Sequence, residues 1–218
     1  MCWNKEVSMA TFILAIVGVI YLYNRNGPND RWVAIFAAVV AMIQLAEFFM
    51  WSDLGCGTVN RYASMFALLI LALEPLMGIV GGFCFSNTPY KNVLKYMLIA
   101  YIIFIGYVYF TFINKKQINW CGTTMCSPNT NAINGFIKSK SCNLKWYFMD
   151  GIGGKVGIIW VLFLMVPFLT MTPKMQGIVL FTLGFIALAM ATFMNNAAVG
   201  SLWCWLAIGV IYCKIFLF

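Results

Sequence analysis

Residues 62–85 read YASMFALLILALEPLMGIVGGFCF, an apolar run with one ionisable group, Glu74, near its centre. Some 18 or more apolar residues in a row form a transmembrane helix, because about 20 residues at ~1.5 Å each cross ~30 Å of hydrocarbon. A carboxyl at that depth is costly, so it faces protein or water rather than lipid. Pro75 follows it directly. Proline cannot donate to the carbonyl of Leu71 and crowds it, so a kink is expected at Glu74. Gly78 and Gly82 form a G-x-x-x-G, which lets a neighbouring backbone approach closely.

The rest of the chain has the same character. Of its 218 residues 63% are hydrophobic and 9% charged, where soluble domains carry about 25% charged residues. Mean hydropathy is +0.88. The class is an integral membrane protein, all-α, with residues 1–218 forming one polytopic bundle. Net charge is +8, from 14 Lys and Arg against 6 Asp and Glu. The basic residues fall almost entirely between apolar runs, which reads as topology signals and head-group contact rather than nucleic-acid binding. The chain has no histidine. His-based zinc sites, Ser-His triads, Cys-His dyads and haem ligation by His are therefore excluded.

Seven transmembrane helices are expected, at about 9–23, 32–51, 62–85, 93–113, 151–171, 175–194 and 201–218. The first run ends in Tyr-Leu-Tyr-Asn-Arg without a small-residue cleavage site, so it is read as a helix and not a signal peptide. Residues 24–31 (NRNGPNDR) are a polar turn. Residues 114–150 form the one long connection, read as an extracytoplasmic loop. Gly153 and Gly157 offer a second small-residue face. No internal repeat is evident.

Seven helices put the two termini on opposite sides. Arg25, Arg31, Lys91, Lys95, Lys174 and Lys214 fall on the side of the C-terminus, which favours that side as cytoplasmic. Lys115, Lys116, Lys138, Lys140 and Lys145 in the long loop oppose this. The cysteines decide it. Cys56, Cys121, Cys126 and Cys142 all fall in connections on the N-terminal side, and two disulfides there would persist only outside the cytosol. Cys121 or Cys126 is expected to pair with Cys142, with Cys56 taking the remaining partner. Three connectivities are open. Trp3, Trp51, Trp120, Trp146, Trp203 and Trp205 cluster at the same outer interface.

The polar residues inside this bundle descend from the outer side. Gln44, Glu47 and Trp51 share one helix face, and Asn60, Arg61, Asn195 and Asn196 stand at outer helix ends. Glu47 is expected ~6 Å below the outer end of its helix and Glu74 ~18 Å deep. This predicts a polar pocket open to the outside, a candidate cation or proton site with Glu74 as the deep acceptor and Glu47 as the outer one. Two structural alternatives stand beside it: Glu74 tying the Pro75 kink to a neighbouring helix, and Glu47 hydrated or paired with Arg61. No lysine, arginine or histidine is expected at the depth of Glu74, which leaves protonation or solvation. The sequence offers no cofactor or metal ligand set. Lys214 lies too near its helix end for a retinal Schiff base. Asp150-Gly151-Ile152-Gly153-Gly154-Lys155 lacks the P-loop spacing, and G-x-S-x-G is absent, so no enzyme is expected.

The start Met-Cys-Trp-Asn, the segment QLAEFFMW at 44–51, the Glu74-Pro75 pair and the Cys- and Trp-bearing long loop resemble a multi-pass membrane family of large DNA viruses of algae and protists and of some eukaryotic microbes. The resemblance implies a viral or host internal membrane and no mechanism. The leading expectation is a small cation or proton transporter or channel. The alternative is a non-catalytic membrane component whose disulfide-stapled outer loop binds a partner protein. Either would contact the lipid bilayer, and neither excludes a homo-oligomer.

Overall fold

The computed structural model describes residues 4–114, 117–126, 142–150, 152, 154–194 and 198–218. Cys2, Trp3, Lys115, Lys116, Lys138, Lys140, Gly153, Asn195 and Asn196 lie outside them. The helices are α1 (Lys5–Arg25), α2 (Asp30–Ser52), α3 (Thr58–Phe85), α4 (Lys91–Val108), α5 (Gly154–Met165), α6 (Lys174–Met194) and α7 (Val199–Leu217). A π-helical turn, Tyr109–Ile113, extends α4, and a 3₁₀ turn, Val166–Thr170, extends α5. Of these, 6 are long and apolar enough to cross a membrane, and Gly154–Thr170 is a shorter apolar helix.

Polar residues at the ends lengthen several helices beyond their apolar runs. Asn4 caps α1, its side chain accepting from the Val7 amide at 2.9 Å, with Glu6 in the first turn and Arg25 in the last. Asn26 closes the helix in the left-handed region, φ 53°. Pro167 lacks an N–H and disfavours α geometry at Val166, so α5 gives way there to 3₁₀.

α2 and α3 form the centre, with 56% and 50% of their apolar windows buried, whereas α4 is peripheral at 11%. α2 packs against α1, α3 and α7, and α6 pairs with α7. The expected G-x-x-x-G contact is made by a side chain rather than a backbone. The Trp32 indole donates to the Gly78 carbonyl at 2.7 Å. A methyl group added at Gly81 or Gly82 would come within 2.7 Å of the Trp32 ring. At Gly157 an added methyl meets nothing within 4 Å, so that glycine serves no helix contact.

The long connection is not wholly irregular. β1 (Gly122–Cys126) pairs antiparallel with β2 (Cys142–Trp146), in the register Gly122↔Trp146 to Cys126↔Cys142. Leu144, Trp146 and Phe148 insert into the bundle, and Phe148 stacks with Trp146 at 5.8 Å and Trp120 at 6.4 Å. The hairpin packs on α2, α3 and α7 at one end. The α1–α2 turn, Thr88, the start of α6 and Lys214 meet at the other, through Asn29 to Thr172, Thr88 to Thr170 and Lys214 to Pro28.

Candidate functional site

Pro75 leaves the carbonyls before it short of donors, and two side chains supply them. Trp160 Nε1 donates to the Leu71 carbonyl at 2.8 Å. The Tyr101 hydroxyl donates to the Ala72 carbonyl at 2.6 Å. Glu74 has no part in this. It is 2% exposed, and its Oε1 has no hydrogen-bond partner. α3 runs unbroken from Thr58 to Phe85 through Pro75; Trp160 serves the carbonyl that Pro75 leaves free, and Glu74 Oε1 pins nothing there.

Glu74 opens on a cavity of about 50 Å³ between α2, α3, α5, α6 and α7. One water needs roughly 10–15 Å³ measured in this way. Phe36, Phe168, Leu180 and Trp203 are among its walls, and Glu74 is the one lining residue with a side-chain oxygen. Gly184, also in the lining, makes room for Met165, whose side chain an added methyl would strike.

Glu47 sits in a separate layer beneath the hairpin, also 2% exposed. Trp146 Nε1 donates to its Oε1 and Gln44 Nε2 to its Oε2, both at 3.2 Å. Ser201 lies near the same carboxylate. The partner is thus a set of neutral donors and not Arg61. Arg61 is exposed and belongs to none of the ion pairs among the described residues. Trp146 lies flat against Gly200, where an added methyl would meet its ring at 2.6 Å. Cys204 stands within electrostatic reach of both Glu47 and Glu74. It lines the Glu74 cavity and thereby joins the two layers.

Asn60 is fully buried and holds the hairpin down. Its Nδ2 donates to the carbonyls of Met50, Asp53 and Gly122 at 3.1, 2.9 and 2.7 Å. Its Oδ1 accepts from the Gly122 amide at 2.8 Å and the Ser64 hydroxyl at 3.3 Å. Cys56 is bonded to Cys121, Cα to Cα 5.3 Å, beside this point. Cys142 is also disulfide-bonded, and the residue opposite it in the ladder is Cys126. The expected polar residues therefore fall in two layers rather than around one pocket. Asn195 and Asn196 lie outside the described residues.

One charged cluster was not anticipated. Asp30 and Lys214, both fully buried, are 3.0 Å apart. Arg25 grips the same carboxylate through Nε at 2.7 Å and an η nitrogen at 3.0 Å. Lys214 also donates to the Pro28 carbonyl at 2.9 Å and to Gln176 Oε1 at 3.3 Å. The cluster ties α1, α2, α6 and α7 at the end opposite the hairpin. Its signal in the sequence is Lys214 set inside the apolar run IYCKIFLF. Such a lysine must snorkel or find a carboxylate.

Comparison of the chain with protein-family models, with curated proteins and with solved structures finds no match.

Proposed function

We propose that this is a seven-span membrane protein that carries a proton at Glu74, with the hairpin end outside and the C-terminal end in the cytosol. The span count rests on α5. Its 12 α-helical residues and the 5 in 3₁₀ geometry extend about 28 Å, close to the hydrocarbon thickness. The 3₁₀ turn lengthens what would otherwise be a short span. The orientation follows Arg31, Lys91 and Lys174 at the C-terminal end, which lie over the rings of Tyr23, Phe83 and Tyr90 as interfacial cations do.

The observation that carries the proton reading is an unpartnered buried carboxyl without a structural task. Trp160 and Tyr101 serve the carbonyls before Pro75, so Glu74 is not needed to satisfy them. An acid kept at mid-membrane at such cost is functional by default. A proton suits the cavity better than a metal cation. Calcium takes 6–8 oxygen ligands and magnesium six, whereas Glu74 brings the one oxygen-bearing side chain there. The hairpin's apolar face is engaged with the bundle, so a protein partner at the outer loop would have to take its other face.

The test is infrared spectroscopy with deuterium exchange. A carboxyl band absent from Glu74→Gln should shift as D2O replaces water. A Glu74 band that never exchanges would remove the proton reading.

A further inference from the structure

A second cavity, about 530 Å³, lies beside α4. Its walls are Leu68 and Ala72 of α3, Phe104 and Val108 of α4, Trp160 of α5 and Trp203 of α7. At the hairpin end its lining includes Lys145 and Asp150, both partly exposed. Among their lining residues, this chamber and the Glu74 cavity share Trp203 and Cys204, which form the wall between them.

We infer that the chamber binds a zwitterionic amphiphile with one apolar chain, the chain inside and the headgroup across the Lys145–Asp150 pair. Its volume falls in the ~300–1,000 Å³ range of small-molecule sites. Buried water needs two to four polar partners, and below Lys145 and Asp150 the walls are mostly apolar, with Tyr109 and Ser201 the hydroxyls among them. The α3 residues along the chamber, Met65 to Ala72, cover roughly 10 Å of depth below that end. That places the chamber at acyl-chain level in one leaflet, with that end at headgroup level.

The charges choose the headgroup. Lys145 Nζ is 3.0 Å from Asp150 Oδ2, with side chains 21% and 56% exposed. A cation and an anion side by side match a phosphate and an ammonium side by side. A purely anionic head would face Asp150, and a purely cationic one would face Lys145. The Tyr147 ring, its centroid 4.5 Å from Lys145 Nζ, holds that ammonium in place beside Asp150. Entry is lateral: α4 is the least buried of the long helices, and it meets α5 chiefly where Phe163 packs on Tyr101 and Phe104. Gly157, on the chamber wall, has open space beside it.

The experiment is binding of fluorophore-labelled lysophosphatidylcholine to the purified protein, with oleate and dodecyltrimethylammonium as competitors. Saturable binding is expected, and it should fall at least about tenfold in Gly157→Phe, which fills open space. Leu68→Trp fills the chamber from α3 and should do the same. Lys145→Asp should shift preference toward dodecyltrimethylammonium. Absence of saturable binding, or binding unchanged in whichever filling variants keep wild-type thermal unfolding, overturns the site. Equal competition by the oleate and ammonium chains in both wild type and Lys145→Asp overturns the headgroup assignment.

Discussion

Replacing Asp30 by Asn should be among the most damaging single changes in the chain. Asp30 is fully buried and carries the negative charge between Arg25 and Lys214. Removing one partner of a buried pair costs about 3–5 kcal/mol, because an uncompensated charge stays behind. Here two cations stay behind, and Lys214 is itself fully buried. Arg25 is 25% exposed and can swing outward, which holds the loss within that range. Lys214→Met should cost less, about 1–3 kcal/mol, since Arg25 keeps both oxygens of Asp30 occupied while Gln176 and Pro28 lose a donor. The ordering is the informative part. Thermal unfolding in one detergent should fall by roughly 6–20 °C for Asp30→Asn, on the scale of chains this long. The pair Asp30→Asn with Lys214→Met should lose less than the sum of the single changes, because the second removes the cation stranded by the first. Additive losses, or Lys214→Met as costly as Asp30→Asn, would refute the cluster as a charge-balanced latch.

Three further outcomes are expected. Trp160→Phe removes the donor to the Leu71 carbonyl and should lower stability by about 1–3 kcal/mol in chemical or thermal unfolding while sparing proton movement; loss of movement with stability intact would make Trp160 part of the pathway. Mass spectrometry without reduction should find Cys56 linked to Cys121 and Cys142 linked to Cys126; a Cys56–Cys142 peptide would contradict the hairpin register. A C-terminal reporter should be active in the cytosol, since Arg31, Lys91 and Lys174 gather at that end; activity only in the lumen or exterior would invert the topology.

Continuous apolar runs made the helices legible, because in lipid every backbone group must be satisfied within the segment. Glu74 was legible for the same reason, as the one charge in its run. The hairpin was harder. Its strands lie either side of a stretch rich in Asn, Ser and Lys, and Leu144-Lys145-Trp146 is too brief an alternation to identify a strand. Asn60 and Glu47 were visible as polar residues at a helix end, yet their partners, Gly122 and Trp146, come from that hairpin. This is why an open pocket was expected where the structure has Glu47 and Asn60 buried beneath the hairpin. Trp160 and Tyr101 carry no local mark of their task. The Leu71 carbonyl was visibly freed by Pro75, but what fills it depends on helix packing. Asp30 and Lys214 read as end-of-helix charges because they meet only when α7 returns beside α2.

The proton reading is tested most directly by flux. Protein reconstituted in vesicles with a trapped pH-sensitive dye should dissipate an imposed pH gradient. Glu74→Gln keeps volume and polarity, so it should unfold at the wild-type temperature and dissipate the gradient no faster than empty vesicles. Wild-type vesicles as tight as empty ones, across pH and voltage, would contradict proton movement, and Glu74→Gln vesicles as leaky as wild type would remove Glu74 from it.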